Sequence, residues 1–286
     1  MPLDLICVPW DTARRGERMG AGPPHFTRNG AMDRLRAVAG SVRETVVGVQ
    51  PDFPAEIATA FDVARATAFA VRAARGHGGF PLVLAGNCIT SVGVLASLPP
   101  GTGVVWLDAH GDVNTPETTR SGFLDGMSLA TVMGRCWQGM AAAVHDFAPV
   151  PEEHVLHVGA RDLDPAEAEY LERSRLAVLP PDAARDEDEL AAAVDQLAAR
   201  VQQVYLHVDL DVHDPSEGVA NPFPAPGGLT ADEVRGVVRA VAARLPIAAA
   251  AITAYDPTCD ADGRMLEVGL KLMELIAEVA ATESGS

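Results

Sequence analysis

Cysteine is scarce and dispersed in this chain. Its four copies, Cys7, Cys88, Cys136 and Cys259, lie far apart with no Cys-x-x-Cys pair, which excludes a small disulfide-stapled framework. A reducing compartment is the default, and each cysteine reads as a small buried hydrophobe, Cys88 excepted. Basic residues are also outnumbered: 22 Lys and Arg stand against 39 Asp and Glu, for a formal charge of −17. That balance disfavours nucleic acid and anionic membrane surfaces as partners, since both need a basic patch. Solubility is the plain reading of the acidity; a cationic substrate or divalent metals are the sharper one. No run of about 18 apolar residues occurs that could span a bilayer. Met1-Pro2-Leu3-Asp4 lacks the basic start of a secretory signal, so a cytoplasmic location is expected. Residues 15–24 are glycine-rich but lack the Gly-Lys-Ser/Thr of a phosphate cradle.

What is present is an ordinary globular chain of 286 residues, 48% hydrophobic and 21% charged. Apolar, β-branched runs at residues 3–8, 42–47, 81–85, 102–107, 155–158, 176–179, 204–208 and 247–254 read as strands. Between them lie helical patterns, among them residues 54–75, 187–203, a helix from Ala166, one capped by Thr230 with Glu233 three residues on, and 265–281. About eight strands separated by helices, without a repeat or a linker-like shift, argue for one αβα domain over residues 1–286. Thr282 onward reads as a frayed tail.

Polar residues gather where the apolar strands stop: Gly86-Asn87-Cys88, Asp108-Ala109-His110-Gly111-Asp112, and Asp209-Leu210-Asp211. In a parallel sheet such ends share one edge, where ligand sites form. Residues two apart at a strand end can face the same way, so Asp108/His110 and Asp209/Asp211 can address a common centre. Four or five carboxylates in one pocket repel unless cations sit among them. Two divalent ions about 3.5–4 Å apart would resolve that repulsion and deprotonate a shared water.

These motifs resemble the arginase/agmatinase superfamily, the ureohydrolases. The resemblance rests on residues 106–116 (Trp-Leu-Asp-Ala-His-Gly-Asp-Val-Asn-Thr-Pro), residues 207–215 (His-Val-Asp-Leu-Asp-Val-His-Asp-Pro), Pro224-Ala225-Pro226-Gly227-Gly228-Leu229-Thr230, and the first loop at residues 18–23. It implies a three-layer αβα sandwich on a mostly parallel eight-stranded sheet, with two divalent ions, usually manganese. By position, Asp108, His110, Asp112, Asp209 and Asp211 match five of the six ligands. Asp112 matches the one that also accepts a hydrogen bond from a bridging hydroxide, which attacks an amidine or guanidine carbon. Asn114 and Ser121 fall where arginases bind the substrate α-carboxylate, and Asp164 and Glu167 where they bind the α-amino group. Family members are often trimers or hexamers, which leaves a homo-oligomer open here.

Three positions depart from the arginase pattern. Cys88 stands at the sixth ligand, a histidine in the family; a thiolate is soft, so zinc or iron gains ground on manganese. Asp125 stands where arginases carry a proton-shuttling histidine, and is a poor acid at neutral pH unless buried. Ala254 replaces the glutamate that pairs with the guanidinium. The substrate expected is therefore arginine or a modified arginine such as N-hydroxyarginine, which is less basic and needs less charge pairing. Two alternatives stay open: hydrolysis of a formimino or amide C–N bond, and a catalytically weak metal-binding homologue with a regulatory role. The remaining histidines read as structural or surface groups, with His207 and His213 the most apt to support the ligands from behind.

Overall fold

The computed structural model describes residues 1–50, 55–145 and 147–283. Its eight main strands are β1 (Leu3–Val8), β2 (Val42–Val46), β3 (Phe80–Ala85), β4 (Gly103–Leu107), β5 (Val155–Val158), β6 (Ala177–Leu179), β7 (Val204–Asp209) and β8 (Ile247–Thr253). They form one sheet in the order β2-β1-β3-β8-β7-β4-β5-β6, and every pairing in it is parallel. β7 and β4 lie side by side in the middle, so both acidic strand ends open at the centre of the carboxyl edge.

Residues alternate across the strands, and the two faces build separate cores. Leu3, Leu5, Leu82, Leu84, Val105, Leu107, Leu206 and Val208 face one layer, with Phe26, Leu35, Val194, Val234 and Ile276 from its helices. That layer comprises α1 (Gly22–Arg28), α2 (Ala31–Ala39), α8 (Pro181–Arg185), α9 (Glu187–Ala198), α10 (Ala231–Ala242) and α11 (Arg264–Glu283). Ile6, Val8, Val83, Val104, Trp106 and Tyr205 face the other, against Phe61, Ala64, Val71 and Val92. There lie α3 (Glu56–Gly76), α4 (Ser91–Leu95), α5 (Ser128–Val132), α6 (Gln138–Ala142) and α7 (Pro165–Arg173). The expected three-layer αβα sandwich with an eight-stranded parallel sheet is what the chain forms.

Local chemistry sets the ends. Thr230 and Glu233 make the reciprocal capping box of α10, as their spacing predicts. Asp164 caps α7, with Pro165 at its first turn. The helix expected over 187–203 stops at Ala198: Arg200 N–H bonds the Leu197 carbonyl in a tightened last turn, and buried Val201 then swings the chain into β7. α2 has no counterpart among the predicted helices. Gly30 and Gly40, at φ 94° and 72°, bracket it and let the chain reverse on either side. Short α5 and α6 are also absent from the sequence reading, being too brief to show a period. Pro54 and residues 284–286 lie outside the described residues, and Thr282 and Glu283 of the expected tail continue α11. No helix among the described residues is long and apolar enough to cross a membrane.

Candidate active site

The carboxyl edge opens into a cleft of about 420 Å³. Register explains who meets there: Leu107 pairs with Val208, and Asp209 with Thr253, so Asp108 emerges level with Asp209. The cleft is lined by all the predicted ligands, Cys88, Asp108, His110, Asp112, Asp209 and Asp211, and by Asn114, Ser121, Asp125, Asp164, Glu167 and Ala254. Residues far apart in the chain thus converge as the strand-end argument requires.

Within the cluster the acids are fixed by backbone donors. Asp108 Oδ1 accepts from His110 N at 2.7 Å, and Asp209 Oδ1 from Asp211 N at 2.9 Å. His110 Nδ1 lies 3.4 Å from Asp108 Oδ1 and 3.3 Å from Asp211 Oδ2. Cys88 Sγ is 3.2 Å from Asp209 Oδ2 and 3.2 Å from Thr253 Oγ1. Asp112 takes a left-handed backbone, φ 53°, and its Oδ2 is buried without a hydrogen-bond partner. A buried, unpartnered carboxylate oxygen among other acids is costly unless a cation or a donor faces it. The residues present therefore fit divalent ions.

The electrostatics say the same. Burial, with repulsion from Asp211, raises Asp108 to about 6. Asp112 and Asp209 are pushed well above the usual carboxylate range by burial and by their acidic neighbours. His110 is raised to about 12: burial opposes its charge, but Asp211 and Asp108 outweigh it. Asp211, despite burial, is held down at about 2 by His110 and Asn221. Without metal, then, a proton on His110 does part of the work of a cation.

A pH dependence follows. A carboxyl raised on folding keeps its proton where the unfolded chain has lost it, so its stabilisation fades as pH rises toward its folded value. Raised His110 acts in the same direction above about pH 6.5. Buried His157 and His213, lowered to about 4 by desolvation, oppose this only below about pH 6.5. The melting temperature of chelator-stripped protein should fall by several degrees between about pH 6.5 and 8.5, and saturating divalent metal should remove most of the fall. A flat or rising profile for the stripped protein would refute the assignment of charges.

The outer part of the cleft is polar and partly built for structure. Asn114 Nδ2 donates to Asp164 Oδ2 at 3.2 Å. Glu167 is buried, and its two oxygens accept from Val113 N and Asp164 N, so it braces the loop after β4 against α7. Ser121 is exposed at the rim, where its hydroxyl accepts from Phe123 N. Asp125 is buried; Oδ1 accepts from Ile89 N and Ser128 Oγ, each at 3.1 Å, and Oδ2 from Asn87 Nδ2 at 2.8 Å. Desolvation raises it to about 7 against these three donors. The burial that acid chemistry at this position requires is present.

Asn87, from the first of the polar strand ends, orients Asp125. Several contributors escaped the sequence reading. Asn221 Nδ2 donates to Asp211 Oδ2 at 2.9 Å and to the Ala254 carbonyl at 3.1 Å. Phe123 and Phe223, 5.7 Å apart, form an aromatic lip at the mouth. Arg161 gathers the backbone carbonyls of Gly159, Asp211, Val212, His213 and Ala225, at 2.8–3.2 Å, and so pins the loop after β7 to β5. A lysine cannot reproduce that planar fork. Arg161→Lys is expected to cost about 2 kcal/mol, seen as a melting point lower by several degrees; no shift would show the carbonyls to be satisfied without it.

The fold and the acidic cleft together define a hydrolase of the ureohydrolase class, with an acidic floor that could hold metal ions and a polar mouth. An arginase family model matches residues 2–277, and the chain belongs to that family, whose members are metal-dependent hydrolases of C–N bonds in linear amidines. It is 28% identical to the arginase of Bacillus caldovelox over 294 residues, 95% of this chain and 96% of that one. It is 36% identical to the N(omega)-hydroxy-L-arginine amidinohydrolase of Streptomyces lavendulae over 188 residues, 63% and 64% of the two chains. The solved B. caldovelox arginase superposes with a TM-score of 0.84 at 26% identity, covering 98% of each chain.

Proposed function

We propose that the protein is a dinuclear amidinohydrolase acting on an α-amino acid with a modified guanidino group, N-hydroxyarginine before arginine. The observation that carries this is the pair of changes at the reacting end: Ala254 lines the cleft where arginases place a glutamate, and Asp125 is buried and raised to about 7. A guanidinium would enter without its anionic partner. An N-hydroxyguanidine, less basic, does not need one. The similarity to the S. lavendulae enzyme agrees with this reading.

Cys88, Asp108, His110, Asp112, Asp209 and Asp211 would hold the ions, manganese first, with zinc or iron favoured by the thiol. When bound, the ions supply a hydroxide at neutral pH and polarise the reacting carbon. The chain's own residues do the rest. Asp112 Oδ2, free of protein partners, accepts a hydrogen bond from the attacking oxygen and holds its lone pair toward the substrate. Asp125, protonated at its carboxyl, gives that proton to the leaving nitrogen. Asn114 and Ser121 take the α-carboxylate, and Asp164 the α-amino group. Glu167 keeps Asp164 and the loop after β4 in place. The products are an ornithine-like amine and urea or hydroxyurea.

Steady-state assays with arginine, N-hydroxyarginine, agmatine and formiminoglutamate test the assignment. The highest kcat/KM is expected for N-hydroxyarginine. A strong preference for agmatine over both amino acids would overturn it, because agmatine offers no carboxylate to Asn114 and Ser121.

A further inference from the structure

Beneath the carboxylates lies a stratum of rings. On the sheet face that bears Asp108 and Asp209, the residues two positions earlier are Trp106 and His207, which pair in register. Their rings stack with centroids 3.6 Å apart. His207 is fully buried. Its Nδ1 lies 3.1 Å from the hydroxyls of both Ser91 and Tyr205, and its Nε2 lies 3.4 Å from Thr253 Oγ1. That same hydroxyl is 3.2 Å from Cys88 Sγ. Cys88, Asp108 and His207 each offer a donor atom within 4.8 Å of the other two, all buried; Asp108, His110 and Asp211 meet the same condition. The two trios share Asp108.

Resting on the dinuclear reading above, we propose that the two ion positions are chemically unlike, and that His207 Nε2 is a ligand of the inner one beside Cys88 Sγ and Asp108. Asp209 Oδ2, 3.2 Å from Cys88 Sγ, and the Asp112 carboxylate, which lines the same cleft, are placed to complete the set. With Nδ1–H donated to Ser91 or Tyr205, the Nε2 lone pair faces the cluster, the arrangement that metal-binding histidines commonly adopt. Sulfur and imidazole select zinc or cobalt over manganese, whereas Asp108, His110 and Asp211 offer carboxylate oxygen and one nitrogen, a set that suits manganese. The protein is therefore built for a mixed pair of ions. Binding at the inner position displaces the thiol proton of Cys88 to solvent.

The test uses zinc alone, one equivalent, added to the chelator-stripped full chain and read by X-ray absorption at the zinc edge. The expected spectrum has one sulfur at about 2.3 Å together with imidazole scattering on the same ion. Sulfur without imidazole, or imidazole without sulfur, overturns the proposal. His207→Ser should keep the sulfur, lose the imidazole signature and weaken zinc binding by at least about tenfold; retained imidazole scattering there also overturns it. Should that variant not fold, His110→Asn decides in its place: imidazole scattering kept beside the sulfur there supports His207 as the ligand, and its loss overturns the proposal. Offered equal zinc and manganese, the parent chain should retain one of each. Two ions bound without His207 defeat this proposal alone, and no ion bound defeats the dinuclear reading as well. The expected spectrum with no turnover of any guanidino compound defeats the substrate reading and leaves this one standing.

Discussion

Asp209→Asn is expected to abolish turnover while leaving the metal-free protein at least as stable as the parent. Asp209 is buried, and burial with repulsion from Asp211 and Asp108 keeps its carboxyl well above the ordinary range. An asparagine retains an oxygen for the Asp211 N–H, bonded at 2.9 Å in the parent, and brings no charge into a crowded acidic site. The metal-free fold no longer has to keep a buried carboxyl protonated at neutral pH, so its melting point should stay level or rise by a few degrees. Ionised, that carboxyl is needed to hold a divalent ion. Its loss should lower kcat/KM by about a thousandfold or more, some 4 kcal/mol of transition-state stabilisation. Calorimetry on stripped protein and steady-state kinetics on loaded protein read the two sides separately. If stability and activity fall together, Asp209 is a structural group rather than a metal ligand.

The second large effect is expected from Ala254→Glu. Ala254 already has a left-handed backbone, φ 59°, so a longer side chain adds no new backbone strain beyond that of any residue with a Cβ. Its carbonyl is held by Asn221 Nδ2 at 3.1 Å, which fixes the direction in which a new side chain would leave, and it is almost fully buried on the cleft wall. A carboxylate there would meet the guanidinium of arginine in a charge-assisted pair worth about 1.5–3 kcal/mol. Arginine kcat/KM should rise about 10- to 100-fold, N-hydroxyarginine much less. The ratio of the two substrates is the measurement. A ratio that does not move would remove position 254 from substrate choice.

The fold was legible because its signals are local and repeated. Largely apolar strands such as Leu3–Val8 and Val204–Asp209, separated by capped helices, leave little choice beyond a parallel sheet covered on both faces. The cluster at the cleft floor was legible for a related reason: Asp108, His110, Asp209 and Asp211 are spaced by the strand's own period of two at points where apolar runs stop. What stayed hidden depends on distance in space. Arg161 is one arginine among many until five carbonyls from three separate segments are seen around it. Asn221 sits in a proline-rich loop with no period, yet it links Asp211 to the Ala254 backbone. His207 reads from sequence as a support behind the acids, but its partners do not: only the register and ring stacking against Trp106, with Ser91, Tyr205 and Thr253 around it, show where its two nitrogens lie. Short helices such as Ser128–Val132 are fixed by tertiary contact, including the bond from Ala130 N to the Asp112 carbonyl, rather than by their own periodicity.

The Trp106 indole, stacked on His207, also donates to Asp108 Oδ2 at 3.1 Å. The other two tryptophans bond elsewhere, Trp10 to the Val47 carbonyl and Trp137 to the Met127 sulfur. A cation arriving on Asp108 therefore changes the electric field along one chromophore out of three. Occupancy of the proposed ion site should then register as a shift in near-ultraviolet absorption and emission, without any added dye.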